Sequence, residues 1–341
     1  MLPVYLCGVS GYLPGDPIEN SRLTELFNID AEWIDLYVGT ETRYLAYDFT
    51  RWQATETLAS LATQAAGLAL KSALIEPGQL DFMVLATATP DQLMPATVNQ
   101  VADALGLNGI ATFQIQCGCV GALQAMHLGT LLVRSGAYKK GLVMGADICT
   151  KFIRSREACL SLSASELINY ALFGDGAGAV IVSNTPLENA CKVLDSRVRF
   201  EGLGRAPGQE VNWFGVPEPA SPDSTSYALR EDYKAIQAHV PGMTGEMLDE
   251  LLTALDWTAQ EVDYFLLPQL SKNMSRHIRE QLRLPEKKSI QCVDTTGNNG
   301  NALPFIQMAH LAGKILPGDR ALVIAIESSK WLKGGLALER C

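Results

Sequence analysis

The order of apolar runs repeats once along this chain, and that repeat constrains the fold more than any other feature. In the first half, Ala73-Leu74 is followed by Asp81-Phe82 and the apolar run Met83-Val84-Leu85-Ala86. In the second, Ala254-Leu255 is followed by Asp263-Tyr264 and Phe265-Leu266-Leu267. Each reads as a helix, a short loop and a buried strand. An amphipathic stretch follows in both, ending Ala104-Leu105-Gly106-Leu107 and Gln281-Leu282-Arg283-Leu284. Further strands are expected from Ile110 to Ile115 and from Ser289 to Val293, then a long helical segment and a closing strand in each half. The closing strands are Gly141 to Asp147 and Ala321 to Glu327. This alternation predicts α/β layers with buried sheets. The period is half a chain, so it marks an internal duplication and not a solenoid. The join falls near Ser183-Asn184-Thr185-Pro186, which divides the chain into halves 1–184 and 185–341.

The duplication places Gln116-Cys117-Gly118-Cys119-Val120-Gly121-Ala122 and Gly297-Asn298 at matching strand-to-helix junctions. If the halves pack about a pseudo-twofold axis, Cys119 and Asn298 face one cleft. A cysteine at a helix N-terminus meets free N–H groups and the positive end of the dipole, which favour the nucleophilic thiolate. The competing reading is a small buried core residue. Phe173 to Val182 is a second glycine-rich segment, Phe-Gly-Asp-Gly-Ala-Gly-Ala-Val-Ile-Val. A phosphate loop needs strand, then glycines, then helix; here the glycines precede a strand. Close backbone approach is the better reading.

Composition removes several function classes. The 341 residues carry a net charge of −10, which argues against a nucleic-acid partner held through its phosphates. No apolar stretch reaches membrane-spanning length. The N-terminus lacks the basic flank and long apolar run of a signal peptide. The eight cysteines show neither a disulfide framework nor zinc-pair spacing, so no metal is expected and the cytoplasm is the expected compartment. Asp147 to Phe173 interrupts the pattern with charged and small polar residues. We read about 148–172 as a surface excursion, serving as a lid or a dimer segment. Pro207, Pro217, Pro219 and Pro222 mark a second irregular stretch.

Taken together, Trp33-Ile34 through Gly39, Met94-Pro95, Cys119-Val120-Gly121, Phe173 to Ala179, Gly297-Asn298 and Gly334-Gly335 resemble β-ketoacyl-acyl-carrier-protein synthase III over nearly the whole chain. The resemblance implies a thiolase-like, five-layered αβαβα fold that is internally duplicated. It implies a homodimer in which Met94 reaches into the partner's acyl pocket, and Trp33 beside the substrate. The implied substrates are phosphopantetheine thioesters on acyl carrier protein or coenzyme A, with no bound cofactor. Its catalytic set is cysteine, histidine and asparagine, with an oxyanion hole from the cysteine N–H and a terminal-loop N–H. Cys119 and Asn298 match the first and last, and Ser329 is the candidate second oxyanion donor.

The histidine is missing. Gln269 stands in its place within Leu267-Pro268-Gln269-Leu270-Ser271, and His127, His239, His277 and His310 do not fit as replacements. Glutamine cannot act as a base near neutral pH, although its amide can polarise a carbonyl. Thiol exchange demands less base help than carbon–carbon bond formation. The expectation is therefore an acyltransferase of natural-product biosynthesis, polyketide-type, working by ping-pong through acyl-Cys119 and passing the acyl group to a carrier thiol, an amine or a hydroxyl. The alternatives are a decarboxylative Claisen enzyme with Gln269 replacing histidine, and a noncatalytic partner subunit. Tyr37 occupies the place of one arginine that holds coenzyme A, and no base stands near Leu167 and Ile168. A carrier-protein donor is the expected consequence, with Lys151, Arg154 or Arg156 as substitute cations.

Overall fold

A computed structural model describes residues 2–153, 164–211 and 229–341. The first half runs β1 (Tyr5–Tyr12), α1 (Leu58–Ala73), β2 (Phe82–Thr87), β3 (Ala111–Gln116), α2 (Gly121–Arg134), β4 (Lys140–Asp147) and β5 (Gly176–Ser183). The second runs β6 (Cys191–Phe200), α3 (Tyr233–Leu255), β7 (Tyr264–Leu266), α4 (Leu303–Ala312), β8 (Arg320–Glu327) and β9 (Leu332–Arg340). The nine strands are linked in the order β7-β8-β9-β6-β1-β5-β4-β2-β3.

Outward from the β1–β6 pair, each half repeats one pattern. Its first strand pairs antiparallel with its last, the last with the next-to-last, and that one runs parallel to the early apolar strand. The core splits into matching layers. α2 and α4 fill the middle between Phe82, Val84 and Val143 of one sheet half and Leu266, Val323 and Leu336 of the other. α1 covers the outer face of the first half through Leu61, Ala62, Ala65 and Ala69. α3 covers the outer face of the second through Met247, Leu248 and Leu251. The result is five layers. β2 and β5 are buried at every residue, which is why they read as unbroken apolar runs.

The glycine-rich Phe173–Val182 segment serves close packing. A Cβ on Gly178 would sit 2.2 Å from Phe305 Cβ, so β5 and α4 approach there only without a side chain. Asp175 of the same motif accepts from the N–H groups of Ala46, Cys149 and Thr150, pinning two chain segments far apart in sequence beside the start of β5.

One expected strand is replaced. Ser289 to Val293 forms only an isolated parallel bridge between Phe265 and Ser289, followed by a short helix, Val293–Thr296. The N–H of Ile290 still reaches Phe265 O at 2.9 Å. The next available N–H groups, of Cys292 and Val293, both donate to Gln269 Oε1 at 3.0 Å, which ends the ladder and starts the helix.

The excursion begins with a turn at Cys149–Phe152 and ends with a helix at Ala164–Leu172; Arg154 and Arg156 lie outside the described residues. Of the proline-rich stretch, 212–228 lies outside them too. Its flanks, Gln209–Val211 and Leu229–Glu231, pair as an antiparallel ladder that leads into α3. Among the described residues, no helix is long and apolar enough to cross a membrane.

Candidate active site

β3 ends at Gln116, and the chain turns through Cys117-Gly118-Cys119-Val120 before α2. The N–H of Gly121 closes the turn on Gly118 O at 2.7 Å. A Cβ at 118 would fall 2.2 Å from Glu327 Oε2, so any other residue there displaces that carboxyl group. The matching junction carries Asn298 ahead of α4. One cavity is lined by Cys119 and Asn298 together with Gln209, Glu231, Gln269, Leu303, Gln307 and Ser328. The two strand-to-helix junctions therefore share one cleft.

Asn298 is buried, and its Oδ1 accepts the Gly300 N–H at 3.0 Å. That bond fixes the orientation of the amide and leaves its nitrogen as the end available to the cavity. Gln269 is engaged differently. Its Oε1 holds the N–H groups of Cys292 and Val293, and its Nε2 donates to Ile290 O at 2.6 Å. Its oxygen and one of its two N–H groups are engaged by backbone, so Gln269 shapes the cavity wall, and the second N–H of Nε2 is what it retains for the expected role of polarising a carbonyl. None of the four histidines lines the cavity. His127 bonds Ser196 Oγ at 2.8 Å, and His239 packs edge-on against Trp331.

The electrostatics reverse one expectation. Burial, followed by the carboxyl groups of Glu327, Asp147 and Glu231, pushes the Cys119 thiol well above its ordinary range. Burial first, and these acidic groups second, outweigh the helix N-terminus and keep the sulfur as a thiol. Burial raises Glu327 and Asp147 as well. Asp147 is a hub: it accepts from Thr87, Ala88 and Thr89 on one oxygen and twice from Asn301 on the other. Asn301 also donates to Cys117 O at 2.8 Å, so Asp147 steadies the nucleophile turn. Glu231 is raised to about 7, chiefly by burial. Its Oε1 accepts from Gln209 Nε2 at 2.7 Å, and its Oε2 is buried with no hydrogen-bond partner among the described residues.

Ser329 is placed otherwise than expected. Its N–H donates to Glu327 Oε1 at 3.1 Å, which turns it toward that carboxylate as an intraloop bond; the neighbouring Ser328 lines the cavity. Trp33 and Tyr37 lie one helical turn apart, with ring centroids 5.6 Å from each other and the ring planes tilted by 36°. They line an outer groove with Ile168, Tyr233, Asn273 and His277, and this groove shares Leu270 and Met274 with the inner cavity. Among the described residues no lysine or arginine lines it. Lys151, a proposed substitute cation, is held by the carbonyls of Thr89 and Pro90. Met94 is 86% exposed and lines neither the cavity nor the groove of its own chain.

Sequence reading missed Asp147, Glu231 and Glu327. A signal existed for two of them: Asp147 and Glu327 end the matching closing strands of the two halves. Glu231 gave none, because it reaches the site only through its pairing with Gln209.

Residues 113–202 match the family described as 3-oxoacyl-[acyl-carrier-protein] synthase III, and residues 252–328 match its C-terminal part. The β-ketoacyl-[acyl-carrier-protein] synthase III 3 of Streptomyces coelicolor is 29% identical over 326 residues, covering 94% of this chain and 92% of that protein. The solved structure of AbyA1, a tetronic acid condensing enzyme, is 41% identical with a TM-score of 0.92, covering 98% of this chain and 99% of AbyA1. The synthase III of Pseudomonas aeruginosa superposes with a TM-score of 0.84 at 24% identity, covering 99% and 98%, and so shares the fold. This chain therefore belongs to the 3-oxoacyl-[acyl-carrier-protein] synthase III-like family of condensing enzymes, on the thiolase-like fold.

Proposed function

We propose that the chain is a condensing enzyme of the tetronic acid type, which takes an acyl group onto Cys119 and joins it to a second acyl thioester. The observation that carries this reading is the shared cavity of Cys119 and Asn298, with no histidine in it. The likeness to AbyA1 supports the product class. A tetronic acid ring is a five-membered lactone bearing an enolised ketone. Disconnecting it gives a 2-hydroxyacyl thioester and a 3-oxoacyl thioester, joined by one carbon–carbon bond and one ester bond. Acyl-Cys119 supplies the electrophilic carbonyl for the first bond. The Asn298 amide nitrogen stabilises negative charge on a carbonyl oxygen. The hydroxyl then closes the lactone and releases the second thiol.

The route needs no decarboxylation, which fits the loss of the family's histidine. Among the described residues no lysine or arginine lines the outer groove to meet coenzyme A phosphates, which favours donors on acyl carrier protein. Exposed Leu93 and Met94 offer a surface for a second copy in a homodimer. A second reading, acyl transfer alone to a thiol, amine or hydroxyl, is favoured by the clamped Gln269. Both readings pass through acyl-Cys119. Intact mass after incubation with acyl-carrier-protein donors is expected to show one added acyl group on wild type and none on Cys119→Ala. Equal loading of the two would sink both readings. Release of a product retaining all carbons of both thioesters separates condensation from transfer.

A further inference from the structure

We propose that Glu231 is the catalytic base of the condensation, taking the proton from the carbon that attacks acyl-Cys119. This rests on the reading of the chain as a condensing enzyme that uses a 3-oxoacyl nucleophile. Glu231 lines the cavity that holds Cys119 and Asn298. One of its oxygens is fixed by Gln209, and the other is buried without a partner among the described residues. Asp232, the next residue, caps α3 by accepting the Ala235 N–H at 3.0 Å, which fixes the backbone that presents Glu231. The Tyr233 hydroxyl donates to Asn169 Oδ1 at 3.2 Å and stands close enough to Glu231 to favour its ionised form as well. A buried carboxylate oxygen that no hydrogen bond satisfies is expensive, so its presence calls for a use.

The other acidic groups near the thiol serve less well. Both oxygens of Asp147 are occupied. Glu327 also keeps one buried oxygen without a partner among the described residues, but Ser329 holds the other, and the cavity is lined by Glu231 and Ser328 and not by Glu327. Among the described residues no lysine, arginine or histidine lines the cavity to receive the carboxylate of a malonyl donor, and Glu231 would repel it. A neutral carbon acid flanked by two carbonyls suits the site. Near neutral pH, Glu231 is poised to accept such a proton. The step balances. Glu231 carboxylate takes a proton from C2 of the 3-oxoacyl thioester and becomes a carboxylic acid. The enolate carbon attacks the acyl-Cys119 carbonyl, the new C–C bond forms, and the C–S bond breaks. The departing thiolate recovers a proton from Glu231.

The test is a single turnover on preloaded enzyme. Wild type and Glu231→Gln are acylated on Cys119 with an acetyl phenyl thioester, whose leaving group needs no base. Each is then given 3-oxobutanoyl-pantetheine or malonyl-pantetheine, and loss of the acetyl group is followed by intact mass. Wild type is expected to discharge to 3-oxobutanoyl-pantetheine without releasing carbon dioxide. The glutamine variant is expected to discharge about a hundredfold slower or worse, with Glu231→Asp between them. Discharge of the glutamine variant within about threefold of wild type overturns the role of Glu231, given the contribution expected of a general base. So does faster wild-type discharge by malonyl-pantetheine with loss of carbon dioxide. Failure of wild type to load at all is a different result, and it removes the acyl-Cys119 reading itself.

Discussion

At the scale of single residues, Cys119 works against its surroundings. Burial and three carboxyl groups hold the thiol in its protonated form, and the strongest of these charges is Glu327. Replacing Glu327 by glutamine removes that charge and keeps a polar group of similar size. Alkylation of Cys119 by iodoacetamide near neutral pH, read by peptide mapping, should become several-fold faster in Glu327→Gln. Unchanged or slower alkylation would show that the carboxyl does not act on the sulfur. Gln269 makes a structural contribution that can be measured apart from the chemistry. Gln269→Ala leaves two buried N–H groups, of Cys292 and Val293, without their acceptor. Each such group costs about 1–3 kcal/mol, so the urea midpoint should fall by the equivalent of about 2 kcal/mol or more. A Gln269→Ala protein as stable as wild type would mean the clamp is not what holds the Val293–Thr296 turn.

At the scale of elements, the site depends on how closely the Gly300–Ala302 turn sits on β4. A Cβ on Gly145 would stand 2.1 Å from the Asn301 carbonyl oxygen, a backbone atom that cannot swing aside. Gly145→Ala should therefore lift this turn, at a cost of about 1–3 kcal/mol from overpacking. It should also slow Cys119 acylation, because Asn301 links Asp147 to the Cys117 carbonyl. Unaltered stability and acylation would argue that the turn tolerates displacement. Packing of this kind also explains what the sequence disclosed. β2, β4, β5 and β8 are almost wholly buried, so their residues are apolar in unbroken runs that one sequence displays. Cys119 and Asn298 were legible because each follows glycine at a repeated junction. The Ser289–Val293 strand misled because its continuation is stopped by a side chain about twenty residues earlier in sequence, which no local propensity reports. The charge around Cys119 was hidden for a similar reason: residues 147, 231 and 327 converge only in three dimensions.

At the scale of the whole molecule, a buried carboxyl kept for chemistry should leave a mark on stability. Glu231 has an ordinary value of 4.5 and is raised to about 7 in the fold, mainly by burial and further by the charge of Glu327; Gln209 and Tyr233 pull the other way. The unfolded chain then releases this proton at lower pH than the folded one. Between about pH 4.5 and 7 the unfolded state therefore binds fewer protons, and Glu231 removes stability as pH rises through that window. Below it both states are protonated, and the penalty vanishes. Glu231→Gln cannot titrate there, and most other titrations cancel when the two proteins are compared. The variant's stability relative to wild type should climb from mildly acidic to mildly alkaline solution by up to about 3 kcal/mol. Urea midpoints of both proteins at about pH 4.5 and pH 8 measure the difference directly. A difference that stays flat across that interval would place the Glu231 carboxyl in contact with water, where it has neither a stability cost nor the poise to take a proton from carbon. A rising difference ties the cost of the fold to the group that would perform the reaction, without any substrate being present.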